Sequence, residues 1–108
     1  MGMSWRIVVH PKALQELEDL PVLMRARLTR LLEAMQKAGP LAFREPHVKS
    51  LGHKLWEIRL KSQEGMGRVI YITLTDQRLG ILHAFVKKTQ KTPLRALDCA
   101  YQRLKEIE

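Results

Sequence analysis

Apolar positions along this chain change period three times, and the changes divide it into elements. Ser4 to Val9 (SWRIVV) sets Trp5, Ile7 and Val9 against Arg6 and Val8, and is rich in β-branched and aromatic residues. That pattern predicts a first strand. Pro11 stops it and suits the first position of a helix. From Lys12 to Leu20 the residues Ala13, Leu14, Leu17 and Leu20 follow helical spacing, with Glu16, Glu18 and Asp19 between them. Pro21 breaks this helix and opens a second, which should run to about Ala38. Its apolar stripe is Val22, Leu28, Leu31, Leu32 and Met35, with Arg25, Arg27, Arg30 and Lys37 mostly outside it. Gly39-Pro40 is a strong stop. Two helices joined at a proline predict an antiparallel hairpin packed on a sheet.

Residues 40–53 (PLAFREPHVKSLGH) lack a clear period and read as a basic loop. Beyond it the period becomes two. Trp56, Ile58 and Leu60 alternate with Leu55, Glu57 and Arg59. Arg68, Ile70, Ile72 and Leu74 alternate with Val69, Tyr71 and Thr73. Ile81, His83, Phe85 and Lys87 alternate with Leu82, Ala84 and Val86. The links between these runs, Lys61 to Gly67 and Thr75 to Arg78, are short, and short links join antiparallel neighbours. Thr92-Pro93 is a helix start, with threonine at the cap. Leu94, Leu97, Ala100, Tyr101, Leu104 and Ile107 give the last helix its apolar face. The expected order is β-α-α-β-β-β-α: an α+β fold with a small antiparallel sheet packed against an N-terminal helix hairpin and a C-terminal helix. The first strand should join the sheet beside one of the later strands, since alone it has no partner.

Composition sharpens this in four ways. With 108 residues, 45% of them hydrophobic, the chain reads as one domain, 1–108, with a single core. No apolar run approaches the roughly 18 to 20 residues that span a bilayer, and the first residues do not resemble a signal peptide, so the expected compartment is the cytoplasm, with no membrane partner. The single cysteine, Cys99, excludes an intramolecular disulfide and reads as a small apolar helix residue. The net charge of +8 is unevenly placed: residues 49–91 hold nine Lys/Arg against three Asp/Glu, residues 1–48 seven against five, and residues 92–108 three against three. A positive field concentrated on the meander attracts polyanions, nucleic acid above all.

No metal motif accompanies that field. His10, His47, His53 and His83 show no HxH or HExxH spacing, and there is neither a phosphate-binding glycine loop nor a nucleophile elbow. No metal and no cofactor are expected. Glu16 and Glu18 read as a charged helix face rather than an acid/base pair. Tyr71 and Trp56 read as core, and His47 and His53 as loop surface. What remains is Arg59, Arg68, His83, Lys87 and Lys88. Arginines bind phosphate through paired hydrogen bonds and stabilise added charge at phosphorus. Histidine exchanges a proton near neutral pH, and a lysine crowded by cations can do so too. Such a set could support cleavage of RNA by its own 2′-hydroxyl: a base takes the 2′ proton, cations steady the pentacovalent phosphorus, and an acid protonates the leaving 5′-oxygen. Each residue also has a plainer role: His83 as a hydrogen-bonded histidine facing the helices, Arg59 paired with Glu57, the lysines solvated at a strand end.

The run LGHKLWEIRL…GMGRVIYITL…ILHAFVKKTQKTPLRALDCAYQRLKE resembles the phage-derived Gp49-like/HigB branch of the RelE/ParE toxin superfamily. The likeness covers most of the chain and is most specific over residues 51–103. It implies a RelE-like fold and the toxin of a type II toxin–antitoxin pair, one that cleaves mRNA, commonly in the ribosomal A site, without a metal. It also implies a small helix-turn-helix antitoxin encoded nearby, through which the complex reaches operator DNA. Arg59, Arg68, His83, Lys87 and Lys88 match the family's basic cleft, and Lys54 and Lys91 are implied substrate contacts. By position Arg68 would hold the scissile phosphate. His83 and Lys87 are both candidates for the base. The chain departs from some RelE members in lacking a tyrosine at the end of the last strand. The competing functions are a ParE-like poison of DNA gyrase, a non-catalytic RNA-binding domain, and a family member that keeps the fold but has lost toxicity. The low aromatic content, 6%, speaks against common RNA-binding modules.

Overall fold

The computed structural model describes residues 4–43, 46–87 and 91–108. Strand β1 (Arg6–Val9) leads into helix α1 (Pro11–Glu18), which starts where the proline dictates. His10 caps it: its Nδ1 accepts the Lys12 amide at 3.1 Å, while Nε2 meets Glu106 at 2.7 Å. Helix α2 (Val22–Ala38) stops at Gly39, whose φ of 86° and ψ of 149° are open only to glycine. A short 3-10 turn (Pro40–Ala42) follows.

The predicted meander is present as β3 (Leu55–Ser62), β4 (Gly65–Leu74) and β5 (Arg78–Lys87), closed by helix α3 (Leu94–Ile107). The stretch expected to be a loop contains one further strand, β2 (Val48–Gly52), so the sheet has five strands in the order β1-β5-β4-β3-β2. Strand β2 has only two inward side chains, Val48 and Leu51, and its polar remainder hid it from a period count. It turns into β3 through His53 and Lys54, whose positive φ values of 50° and 72° are what a two-residue hairpin loop requires. Strand β1 does find a partner: it lies parallel to β5, Arg6 opposite Arg78 and Val9 opposite Ile81. The sheet is therefore mixed rather than wholly antiparallel.

Its two faces are both covered. The hairpin α1–α2 sits on Ile58, Leu60, Val69, Tyr71, Ile81 and Ala84, with Met24, Leu28 and Met35 reaching down from α2. Helix α3 lays Ala96 and Ala100 on Leu55, Ile70, Ile72 and Leu82. Strict alternation along β5 fails at one place. Tyr71 faces Ile81 but Ile70 faces His83, so Leu82 is an extra residue in β5. This bulge turns Ile81 to the hairpin side while Leu82 and His83 both serve the α3 side. The expected pairing of Ile81 with His83 on one face is corrected accordingly. Trp56 packs against the hairpin-side core and Tyr71 is buried in it, as expected, whereas Leu14, Val22 and Leu94, expected on apolar helix faces, are exposed. No described helix is long and apolar enough to cross a membrane.

Candidate active site

On the α3 side of the sheet, strand register lines the predicted residues into adjacent rows. Lys61, Met66 and Lys87 are paired across β3, β4 and β5; next come Arg59, Arg68 and Phe85; then Glu57, Ile70 and His83. Rows of one face are about 7 Å apart along a strand. Four of the candidates, Arg59, Arg68, His83 and Lys87, thus share one face within three rows.

Two arginines side by side on neighbouring strands repel unless a charge separates them. Glu57 does so. Its Oε1 accepts Arg68 Nη1 at 2.7 Å and Arg59 Nε at 3.2 Å, and its Oε2 accepts the Thr92 hydroxyl at 2.5 Å. Arg68 Nη1 also donates to Thr92 Oγ1 at 3.1 Å. Thr92, expected to cap α3, is drawn into this network, and Pro93 takes the N-cap position without a side-chain bond. The arginines then part in role. Arg68 and Glu57 are 0% exposed, so Arg68, expected to hold a phosphate, spends its charge on Glu57 inside the protein. Arg59 is 20% exposed and engages Glu57 through Nε alone. Its terminal nitrogens have no protein partner among the described residues, and the side chain lines a cleft.

That cleft, ≈ 660 Å³, opens between α2 and the far end of β3, where β2 has already left the sheet. Arg27, Arg30, His47, Arg59 and Lys61 line it, with no carboxylate among them, over a floor that includes Leu31, Ala34, Leu60 and Met66. The Arg27 guanidinium donates to the Lys61 carbonyl and closes that free strand edge.

A second cluster closes the edge of β5. Beyond Val9, strand β1 no longer pairs with β5, and buried strand edges need partners. Glu16 Oε1 accepts the Ala84 amide at 3.1 Å, and Arg103 Nη1 donates to the Leu82 carbonyl at 2.9 Å. The two side chains also join each other, Arg103 Nη1 and Nη2 to the Glu16 oxygens at 2.7 and 3.0 Å. The Nδ1 of His83 lies 2.9 Å from Glu16 Oε1. Burial pushes the Glu16 carboxyl up, but Arg103, His83 and the Ala84 amide together outweigh it and hold the carboxyl below its ordinary value of 4.5. Arg103 is correspondingly raised, first by its bond to Glu16. A carboxylate on Nδ1 leaves Nε2 as the histidine's other face, and Nε2 has no protein partner among the described residues. The ring stacks at 4.9 Å on Phe85 and borders a second cavity of ≈ 530 Å³ with Pro93, Arg95 and Gln102.

The remaining candidates fall apart spatially. Lys87 is half-buried at the end of β5 opposite Met66. Lys91 is exposed beside Thr92, next to the Glu57 network. Lys54 is exposed in the β2–β3 turn, at the opposite end of β3 from Arg59. Lys88 lies outside the described residues. Sequence reasoning missed Glu16, set aside as helix surface, and Arg103, Arg27 and Arg30. Only the bulge and the ends of β1 and β2 bring these beside the sheet, and neither leaves a mark in the period. Glu57 did carry a signal, being the one acid among the β3 residues on the same face as Arg59. Among the described residues no three His, Cys, Asp or Glu side chains are grouped to hold a metal ion.

With this geometry in place, known proteins supply the comparison. The profile of the family described as phage derived protein Gp49-like (DUF891) matches residues 15–105. No curated protein matches significantly. Among solved structures, a double mutant of the E. coli toxin RelE in the free state aligns at a TM-score of 0.63 and 18% identity, over 98% of this chain and 100% of that one. The archaeal RelE–RelB complex from Pyrococcus horikoshii aligns at 0.59 and 23%, over 82% of this chain and 100% of that one. The toxin–antitoxin complex RelBE2 from Mycobacterium tuberculosis aligns at 0.57 and 15%, over 82% and 98%. At these identities the solved structures speak for the fold, which is RelE-like, and the profile speaks for descent: the chain belongs to the phage-derived Gp49-like family.

Proposed function

We propose that this protein is the toxin of a type II toxin–antitoxin pair and that it cleaves RNA by attack of a 2′-hydroxyl on the adjacent phosphate. The observation that carries the proposal is the His83–Glu16 pair, with Nδ1 held at 2.9 Å on the same face as Arg59 and Lys87. Held this way, His83 offers Nε2 to take the 2′ proton. The 2′-oxygen bonds to phosphorus, the bond to the 5′-oxygen breaks, and the leaving oxygen takes a proton from Lys87. The products are a 2′,3′-cyclic phosphate and a 5′-hydroxyl. Arg59, steered by Glu57 and open at its terminal nitrogens, meets the phosphorane's charge. Arg68 acts through Glu57 and is a positioning residue. Lys91, Lys88 and, from the β2–β3 turn, Lys54 serve the strand of RNA on either side. The excess charge on residues 49–91 supports a polyanionic substrate, and the RelE–RelB complexes of similar fold support a protein antitoxin as the partner.

The test is inducible expression with mapping of mRNA 5′ ends, for wild type and His83→Ala, with the substituted protein shown to be folded. Growth arrest with new internal ends, both absent in the variant, is expected. Arrest without new ends moves the protein to the gyrase-poisoning class, and no arrest from the wild type removes the toxin reading.

A further inference from the structure

The second cavity, ≈ 530 Å³, lies between β5 and the first turns of α3, with His83 on its wall. The proposed chemistry uses only that histidine. We propose that the rest of the cavity is a guanine-binding pocket, in which Asp98 reads the base of the nucleotide whose 2′-oxygen attacks. The placement of that nucleotide at the cut rests on the reading above; the pocket's preference for guanine does not.

Three features select this ligand. The first is the ring of Phe85, which lines the cavity and lies 4.9 Å from the His83 ring at a tilt of 33°. Aromatic faces hold bases by stacking, whatever the base. The second is a set of polar side chains able to read a base edge. Arg95, Asp98 and Gln102 follow one another on α3 at spacings of three and four residues, so they share one helix face, and all three line the cavity. Among the described residues none of these three side chains makes a hydrogen bond or ion pair.

The third feature is the charge of Asp98. It is the one carboxylate among the residues lining the two cavities, in a chain of net charge +8. Beside a phosphate chain a carboxylate is repelled unless the ligand donates hydrogen bonds to it. Guanine alone among the four bases presents two neighbouring N–H groups, on N1 and N2, which a carboxylate accepts in parallel. Adenine would turn the N1 lone pair toward Asp98 and cytosine the N3 lone pair, and uracil offers a single N–H. Arg95, one turn earlier, matches the O6 and N7 acceptors of the same base. With the base in the pocket and its sugar beside His83, the cut falls on the 3′ side of a guanosine.

DNA strands carrying one ribonucleotide each, G, A, C or U, test this, because the single 2′-hydroxyl fixes the place of the cut. Full-length wild type should cleave the guanosine strand at least ~10-fold faster than the other three in single-turnover assays. Asp98 is exposed, and circular dichroism checks that Asp98→Asn folds. An asparagine accepts from the adenine N6–H and donates to N1, so this variant should prefer the adenosine strand. A merely structural role for Asp98 would lower all four rates together. Equal rates on the four strands, or a guanosine preference unchanged in folded Asp98→Asn, would overturn the proposal. If wild type cuts none of them, amide chemical-shift titrations with guanosine and adenosine 3′-monophosphates decide. Binding of the guanosine compound at least ~10-fold more tightly, reversed in Asp98→Asn, would keep the pocket and remove only the enzymatic reading. Equal binding of the two compounds, or none, would overturn the pocket itself.

Discussion

Glu57 and Arg68 form a fully enclosed ion pair, Nη1 to Oε1 2.7 Å, with both side chains 0% exposed. Without Arg68, the enclosed Glu57 carboxylate keeps only the Arg59 Nε and the Thr92 hydroxyl, and breaking a buried pair in this way costs about 3–5 kcal/mol. Arg68→Ala is expected to lose that much unfolding free energy in urea. Glu57→Leu combined with Arg68→Met should recover most of it. Loss of toxicity in Arg68→Ala alone would then report a damaged fold, and the double variant separates fold from chemistry.

Arg59 predicts the opposite split. It is partly solvated and its ion pair runs through Nε only, so Arg59→Lys should change stability by less than ~1 kcal/mol. Lysine cannot offer two parallel N–H groups to a phosphate. Single-turnover cleavage of an RNA oligonucleotide should fall by about 10²–10³-fold. A rate within a few-fold of wild type would remove Arg59 from the phosphate site.

The Glu16 carboxyl titrates below its ordinary value of 4.5 in the folded protein. Its clasp on Arg103, His83 and the β5 edge therefore contributes in full above that value and is lost as pH falls through the lowered one. Thermal unfolding of wild type and Glu16→Gln should differ most near neutral pH and converge in acid. In the same variant the His83 ring loses its anionic partner, so the rate of RNA cleavage should drop by about 10²–10⁴-fold near neutral pH.

How far the sequence could see is clear from these same residues. Helices α1, α2 and α3 announced themselves by one apolar stripe each, and strands β3, β4 and β5 by strand-length apolar runs, all between proline, glycine or polar stops. Strand β2 did not, since an edge strand with two inward side chains has almost no period. The shared face of Arg59, Arg68, His83 and Lys87 was visible only in part: alternation placed Arg59 and Arg68 correctly, but the added residue at Leu82 changes the phase of β5. Which arginine faces solvent was invisible, because it depends on where Thr92 and Glu57 meet, 35 residues apart in the chain.

Gly67 predicts a purely steric effect. A Cβ there would lie 2.7 Å from Met24 Sδ and 3.2 Å from Leu60 Cβ. Gly67→Ala should destabilise by about 1–3 kcal/mol through overpacking. Shortening the opposing side chain with Met24→Ala in the same protein should relieve the clash, so the two substitutions together should cost less than the sum of each alone. Urea titrations of the three variants check this.

Strand β1 and helix α1 precede in the chain the residues that satisfy them. Arg6 waits for Arg78, and Glu16 waits for Ala84 and then Arg103. Such contacts, distant along the chain, cannot form while the later strands are unsynthesised. A nascent chain can hold Arg59 and Arg68 on its meander long before the helix that carries Arg103 emerges. The His83 site is therefore completed only once α3 has followed the meander and Arg103 has reached Glu16.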